Sequence, residues 1–169
     1  YGAGYDMAGD GTDYLIAGSS PEIMVPLAAG ESIINTFSNG VGAPTMYLLT
    51  DQNRVFSTGH NAQAQCGRGG TTHQKYFDRI PQLDGTKVYT HTHYGYTFVV
   101  DSNRDVYATG YNVQGQLGLG SYTSRNTFAQ VTGIKADDII LSHGSNAAST
   151  YIIDGTTLYS TGDNNVGQL

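Results

Sequence analysis

Charge is scarce in this chain: Asp, Glu, Lys and Arg make up 13% of its 169 residues, where an average soluble domain has about 25%. The eight cationic residues stand apart from one another and the formal net charge is −6. The clustered Lys and Arg that a phosphate backbone attracts are missing, so no nucleic-acid partner is expected. Cys66 is the sole cysteine, which excludes an internal disulfide and any Cys-based zinc spacing and leaves the redox compartment open. Purely apolar runs are short, such as Phe98-Val99-Val100, far below the length of a membrane-spanning helix, and no membrane insertion is expected. The chain opens Tyr1-Gly2-Ala3-Gly4, without an initiator Met, a charged n-region or an apolar h-region. It reads as a processed or excised piece, and a removed signal peptide stays open.

What the chain has in quantity is glycine (23) and tyrosine (13), and the glycines recur in phase. Val55-Phe56-Ser57-Thr58-Gly59-His60-Asn61 returns as Val106-Tyr107-Ala108-Thr109-Gly110-Tyr111-Asn112 and as Leu158-Tyr159-Ser160-Thr161-Gly162-Asp163-Asn164. A worn copy, Tyr1 to Asp6, opens the chain. Successive anchor glycines lie 55, 51 and 52 residues apart, a period that marks a repeat architecture. After each anchor comes a second signature: Gln65-Cys66-Gly67-Arg68-Gly69, Gln116-Leu117-Gly118-Leu119-Gly120, and Gly167-Gln168-Leu169, with a shortened form at Met7 to Gly11. Phe77, Ile80 and Leu83 match Phe128, Val131 and Ile134 in register, while Ile23, Val25 and Leu27 of the first copy do not fall in clean register.

Each anchor is preceded by a hairpin pattern, in which β-branched and aromatic runs flank a polar turn. The turns are Asp51 to Arg54, Asp101 to Arg104 and Asp154 to Thr156, between arms at Met46 to Thr50 with Val55 to Thr58, Tyr96 to Val100 with Asp105 to Thr109, and Ser149 to Ile153 with Thr157 to Thr161. Another short run precedes each hairpin, at Ser32 to Phe37, Lys87 to His91 and Ile139 to His143, and a weak one follows each Gly-rich loop. No capped run with helical period is present. About four short strands per repeat predict an all-β fold of about three four-stranded propeller blades. The chain is one propeller segment with units at approximately 1–53, 54–104 and 105–156 and the start of a fourth at 157–169.

A strand ending in Gly-x-Asn and followed by Gly-Gln-Leu-Gly-x-Gly resembles the regulator of chromosome condensation repeat family. Val106 to Gly120 carries the best match, and the resemblance is strong from Tyr47 to Leu169 and weaker before. Thr58, Thr109 and Thr161 stand where the family usually has Trp, and its usual His before the hairpin is not kept in phase; these losses mark a divergent branch. The resemblance implies a ring of about seven blades, so three would form a partial ring. Because an open arc exposes sheet faces and edges, the chain is expected to belong to a longer polypeptide or to close against other subunits.

Cys66 stands where the next repeat has Leu117 and reads as a small buried hydrophobe. His91 and His93 alternate on a strand, with His73 and His143 as conceivable helpers, but no carboxylate sits at a recognisable metal spacing. The glycines Gly59, Gly67, Gly69, Gly110, Gly118, Gly120 and Gly162 read as turn residues, since the Gly-x-Gly stretch opens no helix that could cradle phosphate. Asp137-Asp138 and Asp154-Gly155 lack the spacing of a calcium loop, and no Ser, His and Asp set stands in a known nucleophile context. No catalytic residue, metal or cofactor is expected. Function is grafted onto loops of a rigid scaffold, so Tyr76, Arg79, Tyr122 and Arg125, interface-favoured residue types after the Gly-rich turns, are the partner-contact candidates.

The leading expectation is a non-enzymatic interaction or structural module in a larger assembly, contacting protein subunits or a protein or glycan receptor. Composition favours an extracellular or virion setting, as in a virion, appendage or cell-surface component. One alternative is a regulatory propeller acting on a folded partner, in the manner of a nucleotide-exchange factor or an enzyme inhibitor. The other is a metal-dependent enzyme built on His91 and His93.

Overall fold

The computed structural model describes residues 25–39, 44–91, 93–142 and 148–169, and these form strands and turns with no helix. The worn first copy, Ile23 and His143 lie outside the described residues. In the first sheet β1 (Ile33–Ser38), β2 (Thr45–Thr50), β3 (Arg54–Gly59) and β4 (Gln74–Asp84) pair in chain order, all antiparallel. The second repeats this with β5 (Lys87–Thr90), β6 (Tyr96–Val100), β7 (Asp105–Gly110) and β8 (Arg125–Lys135). β9 (Asp138–Leu141), β10 (Ser149–Asp154) and β11 (Thr157–Gly162) make a third sheet of three strands. In the first two sheets the last strand starts 15 residues after its anchor glycine; the same step from Gly162 passes Leu169, which is why a fourth strand is not seen there.

The sheets stand side by side as propeller blades, with β5 lying against β1 on one side and β9 on the other. Sequence units counted from residues 54 and 105 start at the first residues of β3 and β7, just after hairpin turns, so each carries the outer half of one sheet and the inner half of the next.

The core lies between the sheets. Strand alternation sends Tyr47, Leu49 and Val55 of the first sheet toward Val88 and Val99 of the second, where Ile80 and Leu83 complete the cluster. Phe98, Val100, Val106 and Val131 of the second meet Ile139, Leu141 and Ile152 of the third. The opposite face of the first sheet, with Leu48, Phe56 and Phe77, is covered by Val25 and Leu27. Central strands buried on both faces explain the continuous apolar runs of β2 and β6.

The segments expected as weak runs after the Gly-rich loops are the longest strands among the described residues, 11 residues each. They run along the outside with mostly exposed side chains and break register twice against β3 and β7. Gln82 and Gly133, at matching positions, take positive φ of 55° and 81°, and Pro81 is tolerated because the strand is an edge. Bulges and one-sided exposure erase the alternation that would announce a strand.

Candidate interaction face

Strand direction gives the blades two ends. Loops 60–73, 111–124 and 163–169, with residues 91 and 93–95, project from one, the loop face; hairpin turns 51–53, 101–104 and 155–156 with links 85–86 and 136–137 occupy the other, the turn face.

Each long loop is built around one asparagine. Asn61 accepts from the Cys66 N–H at 2.8 Å and donates to the Gly70 and Thr72 carbonyls at 3.3 and 3.0 Å. Asn112 repeats this with the Leu117 N–H at 2.9 Å and the Ser121 and Thr123 carbonyls at 2.8 and 3.1 Å. Asn164 accepts from the Leu169 N–H at 3.0 Å. Asn61 and Asn112 are fully buried, so each satisfies backbone groups that would otherwise be buried unpaired. That is the physical reason for Gly-x-Asn at residues 59–61, 110–112 and 162–164.

Two of the threonines at the family's Trp position tie blades together, while Thr58 Oγ1 donates to the Gln74 carbonyl of its own blade at 2.8 Å. Thr109 Oγ1 donates to the Arg125 carbonyl within its blade and to the Ala64 carbonyl of the preceding one, at 3.0 and 3.3 Å. Thr161 Oγ1 reaches the Gly115 carbonyl, the matching atom one blade on, at 2.7 Å. Cys66 is buried as Leu117 is, and burial pushes its thiol up to about 12, far from a nucleophile.

Charge divides between the ends. On the turn face Arg54 pairs with Glu31, Arg79 with Asp84 at 2.8 Å, Lys135 with Asp105 at 2.8 Å, and Arg104 bridges Asp137 at 2.9 Å and Asp154 across two blades. Asp163 is the single acidic residue of the described loop residues on the loop face, where Arg68, ion-paired to Asp78 of β4 at 3.3 Å, Lys75 and Arg125 lie toward the outer strands. Aromatic rings gather there instead: Tyr94 stacks on Tyr111 (centroids 5.7 Å, 18°), His60 lies 4.6 Å from His73, and Tyr122 is 74% exposed.

The four contact candidates are not one cluster. Tyr122, at the end of loop 111–124, and Arg125, the first residue of β8, lie close in sequence on the loop face. Arg68 pairs with Thr127 of β8 and donates to the Tyr76 carbonyl at 3.4 Å, which brings exposed Tyr76 to the same seam. Arg79 points toward the turn face and Asp84. The alternation expected of His91 and His93 is not found: β5 ends at Thr90, and both residues lie in the following loop. There His91 is buried, stacked on Tyr96 at 4.8 Å and accepting the His93 and Tyr94 N–H groups at Nδ1, whereas His93 is exposed. Among the described residues no three His, Cys, Asp or Glu side chains converge. All seven turn glycines adopt positive φ, from 67° to 114°.

No family model matches the sequence. The mouse X-linked retinitis pigmentosa GTPase regulator is 34% identical over 125 residues, 72% of this chain and 12% of that protein. The mouse RCC1-like G exchanging factor-like protein is 31% identical over 91 residues, 51% of this chain and 20% of that protein. The chain therefore spans a fifth or less of these relatives. The crystal structure of human WBSCR16 superposes with a TM-score of 0.65 at 19% identity, over 84% of this chain and 37% of that one, a likeness of fold. With its asparagine-centred loop rebuilt blade after blade on stacked antiparallel sheets, the chain belongs to the regulator of chromosome condensation repeat family, as a divergent member.

Proposed function

We propose that the loop face of this protein-interaction propeller receives a folded protein partner. The observation that carries the reading is the unequal division of surface: the turn face ties five carboxylates, Glu31, Asp84, Asp105, Asp137 and Asp154, into ion pairs, while the loop face offers Tyr94, Tyr111 and Tyr122 with few charges. Interface centres are enriched in aromatic residues and Arg and depleted of other charge. Tyr76, Tyr122 and Arg125 supply contacts at the outer seam, and Arg79 serves as a tie within its blade. The units at 1–53, 54–104, 105–156 and 157–169 act as consecutive pieces of one scaffold, the last three each adding a loop to this face. Relatives named as a GTPase regulator and a G exchanging factor-like protein make GTP-binding proteins the first partner class to assay. A virion, appendage or surface setting, or a glycan or receptor partner, has only the sparse charge of the sequence behind it.

The test mixes the chain with small GTP-binding proteins carrying a fluorescent nucleotide and reads binding and nucleotide release. For a protein that binds, Tyr122→Ala combined with Arg125→Glu should weaken binding by about tenfold, equivalent to about 1.4 kcal/mol. Lys87→Glu on the turn face should change it by less than about twofold. The reverse ordering overturns the loop-face assignment, and failure of every GTP-binding protein to bind removes that partner class.

A further inference from the structure

Each long loop carries a glutamine whose amide orientation is fixed. Gln65, Gln116 and Gln168 accept at Oε1 the backbone N–H of Gln63, Gln114 and Val166, each at 3.0 Å, so Nε2 must find an acceptor elsewhere. In the first and third blades it does, in the residue after the anchor glycine: Gln65 Nε2 lies 3.0 Å from His60 Nδ1, and Gln168 Nε2 lies 3.1 Å from Asp163 Oδ2. In the second blade that position is Tyr111, whose ring stacks on Tyr94 instead. Gln116 is fully buried and its Nε2 has no partner among the described residues. A buried donor left unmade costs free energy that an incoming acceptor would return.

Resting on the loop-face reading, we propose that Gln116 Nε2 is the donor of a binding site for a carboxylate, an Asp or Glu side chain on an exposed loop of the protein partner, with the Tyr94–Tyr111 ring pair beside it. Asp163 shows the same amide–carboxylate pairing inside this molecule. Charge favours it: loop 111–124 has no acidic residue and is followed by Arg125. The carboxylate reaches the amide when the half-buried Tyr111 ring turns off Tyr94.

The probes are the blocked tripeptides acetyl-Gly-Asp-Gly-amide and acetyl-Gly-Asn-Gly-amide, titrated into the isotope-labelled chain while the Gln116 side-chain amide signals are followed by NMR. The Asp peptide should shift them saturably, and the Asn peptide should need about tenfold more, since charge-assisted hydrogen bonds are the stronger. Tyr111→Asp installs the arrangement of the third blade; it should abolish the shift and raise the melting temperature. Gln116→Glu keeps the acceptor for the Gln114 N–H and removes the donor, so Asp-peptide binding read at the Gly115 amide should vanish. No shift in the parent, an unchanged shift in Tyr111→Asp, or no gain in its stability overturns the proposal. Tighter binding of the Asn peptide overturns the carboxylate and points to an amide spanning Gln116 Nε2 and Gln114 Oε1, which is also buried without a partner among the described residues. These readouts need no GTP-binding protein, so the site and the loop-face reading fail separately.

Discussion

Asn61 donates its backbone N–H to His73 Nδ1 at 3.0 Å, and the fixed amide of Gln65 donates to His60 Nδ1 at 3.0 Å. Both imidazoles are thereby acceptors at Nδ1, which requires the neutral ring with its proton on Nε2. Burial, and then the neighbouring His73, hold His60 below its ordinary value. The backbone carbonyl of His60 accepts from the Cys66 thiol at 3.5 Å, and among the described residues no carboxylate hydrogen-bonds to either ring. Because the unfolded chain takes up the His60 proton at higher pH than the folded one, neutral His60 stabilises the fold fully above about pH 6.5. That contribution is lost as pH falls below 6.5 toward the depressed folded value. The second blade meets the same need without a titratable group, since Asn112 donates to Ser124 Oγ at 3.1 Å. His73→Ser should therefore flatten the fall in melting temperature between about pH 8 and pH 5; equal slopes for parent and variant would show that the ring pair does not sense acid. Sequence reading saw His73 only as a helper for His91 and His93, because its pairing with His60 exists only once the loop has folded around Asn61.

Hairpins were legible because they are local. The arms read from β-branched and aromatic runs match β2–β3, β6–β7 and β10–β11 to within a residue at each end. β4 and β8 were not, because an exposed, bulged outer strand owes its place to the neighbour it pairs with. The anchor glycines show the same split between local and non-local cause. A Cβ at Gly110, φ 103°, would overlap the Gly95 carbonyl oxygen of β6's entry, whereas one at Gly120, φ 67°, meets nothing within 4 Å. Gly110 is thus required by the closeness of two backbones as well as by its dihedral angle. Gly120→Ala should cost about 1–2 kcal/mol of left-handed strain. Gly110→Ala must also push β6 and β7 apart and should cost about 4 kcal/mol or more, or prevent folding. Urea denaturation giving equal losses would mean that the close approach carries no weight.

At the scale of the molecule, stability resides in the seams. Apolar clusters, threonine-to-carbonyl hydrogen bonds and the Arg104 bridge all cross from one sheet to the next, and the short links 85–86 and 136–137 join the same sheets covalently. A sheet with only one seam is left with an uncovered face, and the third sheet has one. Ile139 and Ile152 point into the second blade's cluster, while Ile140 and Leu158 on the opposite face are 49% and 61% exposed. β11 is in addition an edge strand in this sheet, with unpaired backbone groups that template further pairing. The 169-residue chain on its own should therefore self-associate, with sedimentation velocity showing a weight-average mass that rises with concentration. Leu158→Lys combined with Ile140→Thr charges that face and should return an 18.0 kDa monomer with unchanged strand content by circular dichroism. A parent chain that stays monomeric at every concentration would mean that a blade needs no neighbour on its second face.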